Sequence, residues 1–285
     1  MSVVPPGADG AGPAVAPPTS ALLPLRTTPP ILLGRGARLV ERNVLAYRQS
    51  WLVFVSGLLE PVFYLFAVGV GIGGLVGAVE VPGLGEVPYG VFVAPALLAS
   101  SAMNGAVLES TFNVFSKLKW GKLYDAVLAT PMEPRDIAVG ELTWALLRGG
   151  IYAFAFLLVA WFSDLVVSPW ALLAPPAALL IGFGFGGVGL VVTTFLKSWQ
   201  DFDLISMALL PLFLFSATFY PLQVYPAALQ PIVFLSPLTH GVELVRSLML
   251  GDVRVALLGH AAVFVVMGVV GVRVASRRFG KLLLS

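Results

Sequence analysis

The sequence predicts an all-α integral membrane protein with six transmembrane helices, and three observations carry that prediction. Apolar residues fill 58% of the 285 positions and charged residues only 11%, with a mean hydropathy of +0.92. Soluble domains carry roughly 25% charged residues, so lipid must be the solvent for much of this chain. Six apolar stretches approach the ~20 residues that a helix needs to cross the hydrocarbon. The basic residues then fall on the loops that would share one side of the membrane. There is no cysteine, which excludes disulfides, thiol nucleophiles and thiolate metal sites.

Residues 1–30 are rich in Pro, Ala and Gly and read as a disordered cytoplasmic tail, with no basic start and apolar core of a secretory signal. Residues 31–50 read as an amphipathic interfacial helix. Leu33, Ala37, Val40, Val44, Tyr47 and Trp51 recur at steps of four and three, with Arg35, Arg38, Arg42 and Gln49 opposite. Residues 51–285 then hold the spans. Candidates are Trp51–Val76, Tyr89–Phe112, Ile137–Phe162, Trp170–Leu196, part of Leu204–Val242, and Val255–Val274.

Leu204–Val242 is long for one crossing and short for two. Charge decides it. If the stretch crosses once, Arg26, Arg35, Arg38, Arg42 and Arg48, then Lys117, Lys119, Lys122 and Arg135, Lys197, and Arg273, Arg277, Arg278 and Lys281 all share one side. Only Arg246 and Arg254 face the other. The positive-inside rule makes the basic side cytoplasmic, with both termini there. The rest of the stretch holds Pro221, Pro226, Pro231 and Pro237. Proline breaks regular helices, so residues 220–240 read as short re-entrant helices at the outer face.

The loop between spans two and three, about residues 117–130, pairs Lys117, Lys119 and Lys122 with an apolar cluster, Leu123, Tyr124, Val127 and Leu128, at helical spacing. Such a face needs a groove to fill, in another protein or in this one. Four charges lie in or near spans: Glu60, Glu109, Glu141 and Arg148. Buried ionisable groups are costly and find partners. Glu60 and Arg148 sit roughly 14–17 Å into their spans, so they are expected to pair. Glu109 and Glu141, near the cytoplasmic ends, are expected to bind the basic loop or partner helices. Gly182 and Gly186 form a small-residue ridge suited to close helix approach.

The chain has no G-x-x-x-x-G-K-[ST] phosphate loop, because neither Lys122 nor Lys281 has the upstream glycine. His240 and His260 stand alone as potential metal ligands. No catalytic constellation stands out, so the chain is not expected to be an enzyme.

Three stretches resemble the type-2 ABC exporter permeases, in particular the subgroup of nodulation-factor exporter (NodJ-type) and daunorubicin-resistance permeases. They are Leu59–Glu60–Pro61–Val62–Phe63–Tyr64, Tyr124–Asp125–Ala126–Val127–Leu128–Ala129–Thr130–Pro131 with Gly140–Glu141, and Phe219–Tyr220–Pro221 through Ser236–Pro237–Leu238–Thr239–His240. The resemblance implies a permease of the bacterial inner membrane. It implies a homodimer working with a separate ATP-binding cassette subunit, which would hold the ATP and magnesium; this chain itself is expected to bind no cofactor, metal or nucleic acid. It implies that Lys119, Leu123, Tyr124, Asp125, Val127 and Leu128 form a coupling helix to the ATPase. It implies that Phe219, Tyr220, Pro221, Pro226, Pro237 and His240 form an outer gate. The substrate would be amphipathic, lipid-linked or drug-like. A secondary transporter or channel without an ATPase, or a membrane assembly protein, is the alternative from composition alone.

Overall fold

The structure is a computed structural model that describes residues 34–48, 59 and 61–284. The tail, residues 49–58 and Glu60 lie outside the described residues. Among those described, four helices are long and apolar enough to cross a membrane: α3 (Tyr89–Lys119), α5 (Pro134–Phe162), α6 (Pro169–Thr193) and α10 (Leu257–Leu283). Between and before them lie α1 (Ala37–Arg48), α2 (Pro61–Val76), α4 (Leu123–Leu128), α7 (Asp201–Leu214), α8 (Gln230–Leu235) and α9 (Pro237–Leu250).

Local chemistry sets several boundaries. Glu133 caps α5 in a reciprocal box with Asp136, and Pro134 occupies the first turn, where its missing donor costs nothing. Ser168 accepts from Trp170 N ahead of α6. Gly251, at φ 89°, ends α9 in the left-handed conformation. One departure from an all-helical chain is an antiparallel hairpin, β1 (Ala78–Val81) with β2 (Gly85–Pro88), which pairs Val79 with Val87. Its turn uses Gly83 and Gly85, both at positive φ. The Pro82–Gly83 pair was the legible signal for it.

The core joins α3, α5, α6, α9 and α10. The most extensive contact is α6 on α10. There a Cβ added at Gly271 would lie 2.4 Å from the Gly187 carbonyl carbon, and one at Gly187 would lie 3.0 Å from the Gly268 Cα. Gly182 and Gly186 turn the other way, toward Leu146 and Leu142 of α5 and Ala106 of α3. This ridge packs within the chain.

The long helices define two ends. At the basic end, Trp199 packs in tilted contact on Phe112 and Trp120 at 4.8 and 4.4 Å, Tyr124 meets Phe279, and Arg278 donates to Thr194. At the other end, Leu250 and Leu165 pack with Val87, Val91 and Phe92, and Arg246 donates to the carbonyls of Phe92 and Ala217. Phe92 and Phe115 are about 35 Å apart along α3. The chain therefore travels once between the two ends from Trp199 to Ala217. The helical part of that passage, α7, is 14 residues long, or about 21 Å. α9 then runs back toward the Phe92 end. Pro237 at its start lines a groove with Val107 and Met267, while Leu250 at its finish lies with Phe92.

Candidate functional site

The basic end holds the densest polar network. It is built on one stripe of α5, Glu141, Trp144, Arg148 and Tyr152, spaced so that all four face α1 and α3. Glu141 is 4% exposed, yet its two oxygens accept three donors. Lys117 Nζ lies at 2.6 Å, Asn43 Nδ2 at 3.1 Å and the Tyr124 hydroxyl at 3.0 Å. Asn43 Oδ1 in turn accepts from Lys117 at 3.2 Å, which fixes the amide orientation. This one carboxylate ties α1, the end of α3 and α4 to α5. Burial, and then the charge of Glu141, raise the Tyr124 pKa well above its ordinary value, so the phenol stays a donor.

About 10 Å further along α5, Arg148 donates to Glu109 Oε2 at 2.7 Å, and Trp144 Nε1 donates to Glu109 Oε1 at 3.0 Å. Arg148 also donates to Tyr152 at 2.9 Å and to Tyr47 at 3.3 Å, and Asn113 donates to Tyr47 at 3.1 Å. Glu109 is thus a partner of Arg148; Glu60, its expected partner, lies outside the described residues. Glu109 opens a π-helical turn, Glu109–Asn113, inside α3. Ser110 and Thr111 hydroxyls donate back to Ala106 and Val107 carbonyls at 2.7 and 2.6 Å, local bonds that keep these polar groups satisfied inside the bundle. α6 crosses this turn at Gly189: a Cβ there would sit 2.0 Å from Ser110 Oγ and 3.2 Å from its Cβ, so the serine hydroxyl would have to rotate off its present acceptors.

Between the two halves lies the elbow. α3 ends at Lys119, Lys122 takes a left-handed φ of 42°, and α4 follows. Tyr124 is fully buried, and Leu123, Val127 and Leu128 pack in the same internal cluster with Ile137 and Phe279. The apolar face therefore fills a groove of this chain. Tyr124 is thereby closed off, Leu123, Val127 and Leu128 stay half-buried, and Lys119, Trp120, Asp125, Ala126 and Ala129 are exposed. The sequence spacing found the apolar stripe but not its owner. α1 is likewise turned by about one position: Gly36, Leu39 and Asn43 are buried, while Val44 and Leu45 remain exposed.

Tyr152 reaches the wall of a cleft of about 420 Å³ between α2, α3 and α7, where Ser100, Ser101, Asn104 and Ser206 stand among apolar side chains. At the opposite end, Phe219 packs on Phe213 at 5.1 Å and Tyr220 on Tyr225 at 4.5 Å. Pro221 is buried and Pro226 exposed. Ala217 has a left-handed φ of 52°, and the neighbouring Thr218 hydroxyl is buried without a hydrogen-bond partner. Both features cost free energy, ~1–3 kcal/mol for the backbone alone. Arg246 spans this region. Burial lowers its pKa to about 10, so it stays charged at neutral pH.

His240 Nδ1 and His260 Nδ1 lie 2.8 Å apart. One ring must donate and the other accept, so two protonated rings cannot keep the contact. Burial, then the neighbouring His260, lower the His240 pKa, against an opposing pull from Glu243. A depressed histidine pKa favours the neutral form in the folded state. The stabilisation is therefore complete above an ordinary value of about 6.5 and is lost as pH falls below it. Thermal stability measured from neutral to mildly acid pH should fall more in the wild type than in His240→Gln; equal slopes would rule out this contact as the source.

A family model described as ABC-2 type transporter matches residues 37–250, from the first residue of α1 to the last of α9. The chain is 32% identical over 216 residues to nodulation protein J of Rhizobium leguminosarum bv. viciae, covering 74% of this chain and 81% of that protein. It is 31% identical over 212 residues to nodulation protein J of Sinorhizobium fredii, covering 74% and 79%. To nodulation protein J of Rhizobium meliloti it is 29% identical over 216 residues, covering 74% and 80%.

Proposed function

Since the chain belongs to the ABC-2 type transporter family, whose members are non-catalytic transport permeases, we propose that it is the membrane subunit of a two-component exporter. A separate ATP-binding cassette ATPase, holding ATP and magnesium, would drive it. The substrate would be amphipathic, lipid-linked or drug-like and would leave the cytoplasm or inner leaflet. Two permeases and two ATPases would assemble in a bacterial inner membrane, with both termini cytoplasmic. The six crossings would be the one that includes α2, then α3, α5, α6, α7 and α10. The clustering of basic residues at one end of the bundle supports that orientation.

One observation carries the reading beyond family membership. The α5 stripe is continuous from Glu141, which holds the elbow, through Arg148 to Tyr152 in the wall of the polar cleft. An ATPase that moves the exposed face of the elbow would therefore move the cleft. At the far end, the strained Ala217 and unpartnered Thr218 beside Arg246 support residues 220–240 as a re-entrant outer gate with two arrangements of similar energy.

The elbow tests this. Ala126→Trp on its exposed face should leave the stability of the isolated permease within about 0.5 kcal/mol. It should lower recovery of the co-expressed ATPase about thirtyfold, the effect of a ~2 kcal/mol interface contact. Tyr124→Asp should lose both. Transport by the purified chain without any ATPase would instead favour a secondary transporter.

A further inference from the structure

A second cavity lies behind α7, on the side away from the polar cleft. It is a groove of about 770 Å³ between α6 and α7, lined by Val188, Val192, Phe195, Leu204, Ile205 and Ala208. Lys197 and Asp201 stand at its basic end, and Leu212 and Pro237 at its inner end. No residue of α7 is fully buried; on this side Ile205 and Leu212 pack partly against the core, while Leu204 and Ala208 stay exposed.

We propose that this groove binds one acyl chain of an anionic phospholipid from the leaflet at the basic end, with the lipid phosphate at Lys197. Three features select this occupant. The walls are apolar and belong to helices within the hydrocarbon, where a gap this large is filled by hydrocarbon rather than water. From Asp201 to Leu212 the groove is about 17 Å long, close to half of the ~30 Å hydrocarbon thickness, which is the depth of one leaflet. Its mouth is cationic. Asp201 is turned to the backbone donors of Lys197 and Ser198 at 2.6 and 3.0 Å; the exposed Lys197 feels that carboxylate but makes no ion pair within 4 Å among the described residues. Arg278 lies 3.5 Å over the Phe195 ring at the same mouth. The bound chain would be the rear support of α7 and would set how far that helix can swing from α6.

The proposal needs only that α6 and α7 lie in the bilayer, and it stands or falls separately from the ATPase partnership. The full chain would be placed in nanodiscs, without transport substrate, containing phosphatidylglycerol with a photoreactive diazirine in its acyl chain. Adducts are expected on residues 188–195 and 204–212. Ala208→Trp, or Ile205→Phe should the first not fold, should reduce them about tenfold while leaving adducts on the exposed Val266 and Val270 of α10 unchanged. Lys197→Glu should reduce labelling by the phosphatidylglycerol probe but not by a phosphatidylcholine probe. Adducts unaffected by the groove-filling variants would overturn the site. Equal losses for both probes would overturn the anionic headgroup. Cross-links from Leu204 to another protein chain would place a second copy in the groove instead.

Discussion

Gly271→Leu is expected to prevent recovery of a monodisperse, folded permease. The α6–α10 contact is the most extensive among the described residues, and it is made backbone to backbone. A Cβ at Gly271 would lie 2.4 Å from the Gly187 carbonyl carbon and 2.8 Å from its Cα, atoms that no rotamer change can move aside. Helices in lipid gain little from hydrophobic exclusion and associate through close packing. Pushing them apart forfeits much of what joins them. Overpacking costs ~1–3 kcal/mol where side chains can yield, and here the cost should exceed ~3 kcal/mol because they cannot. Gly259→Leu is the control: nothing lies within 4 Å of an added Cβ there. Size-exclusion profiles and thermal melts of the two variants in detergent would check this. A Gly271→Leu protein as stable as Gly259→Leu would show that α10 does not cross α6 at this point.

Glu141→Leu should produce the next largest effect. It removes the acceptor from Lys117, Asn43 and Tyr124 together. Lys117 would be left as a mostly buried ammonium, with 16% of its side chain exposed. Breaking such a pair from one side costs ~3–5 kcal/mol, whereas replacing both partners with apolar groups is often nearly neutral. The double variant Glu141→Leu/Lys117→Met should therefore recover most of the stability. It should not recover the position of the elbow, because Tyr124 and Asn43 still lack their partner. A thermodynamic cycle over the four proteins, read beside ATPase recovery, separates the two roles. A double variant no more stable than Glu141→Leu alone would mean that the Lys117 charge is not what makes the single change costly.

Much of the bundle was legible from composition and proline placement. The expected spans Tyr89–Phe112, Ile137–Phe162 and Trp170–Leu196 fall on helices Tyr89–Lys119, Pro134–Phe162 and Pro169–Thr193. Their starts follow from Pro88, Pro134 and Pro169, whose fixed backbone suits a first turn or the residue before it. Charge partners were less legible. Depth along a helix says which groups share a level but not which faces meet. Arg148 reaches Glu109 on the facing helix α3, a meeting of faces that depth alone does not report. Tyr124 shows the same limit. Its stripe was visible, but an apolar face reads identically whether it fills a groove of its own chain or of another. Trp144 and Tyr152 could have been found, since with Glu141 and Arg148 they recur at three and four residues on one face.

The wide turn at Glu109–Asn113 has one more consequence. A π-turn carries surplus chain inside a helix, and each residue turns a helix by about 100°. Shortening α3 by one residue there would restore a regular helix and swing Lys117 and the elbow through about 100° relative to Tyr89–Leu108. The caps and loops elsewhere would survive that deletion, yet Lys117 would no longer face Glu141. The compass bearing of the elbow is thus a matter of chain length, held by a single residue of slack.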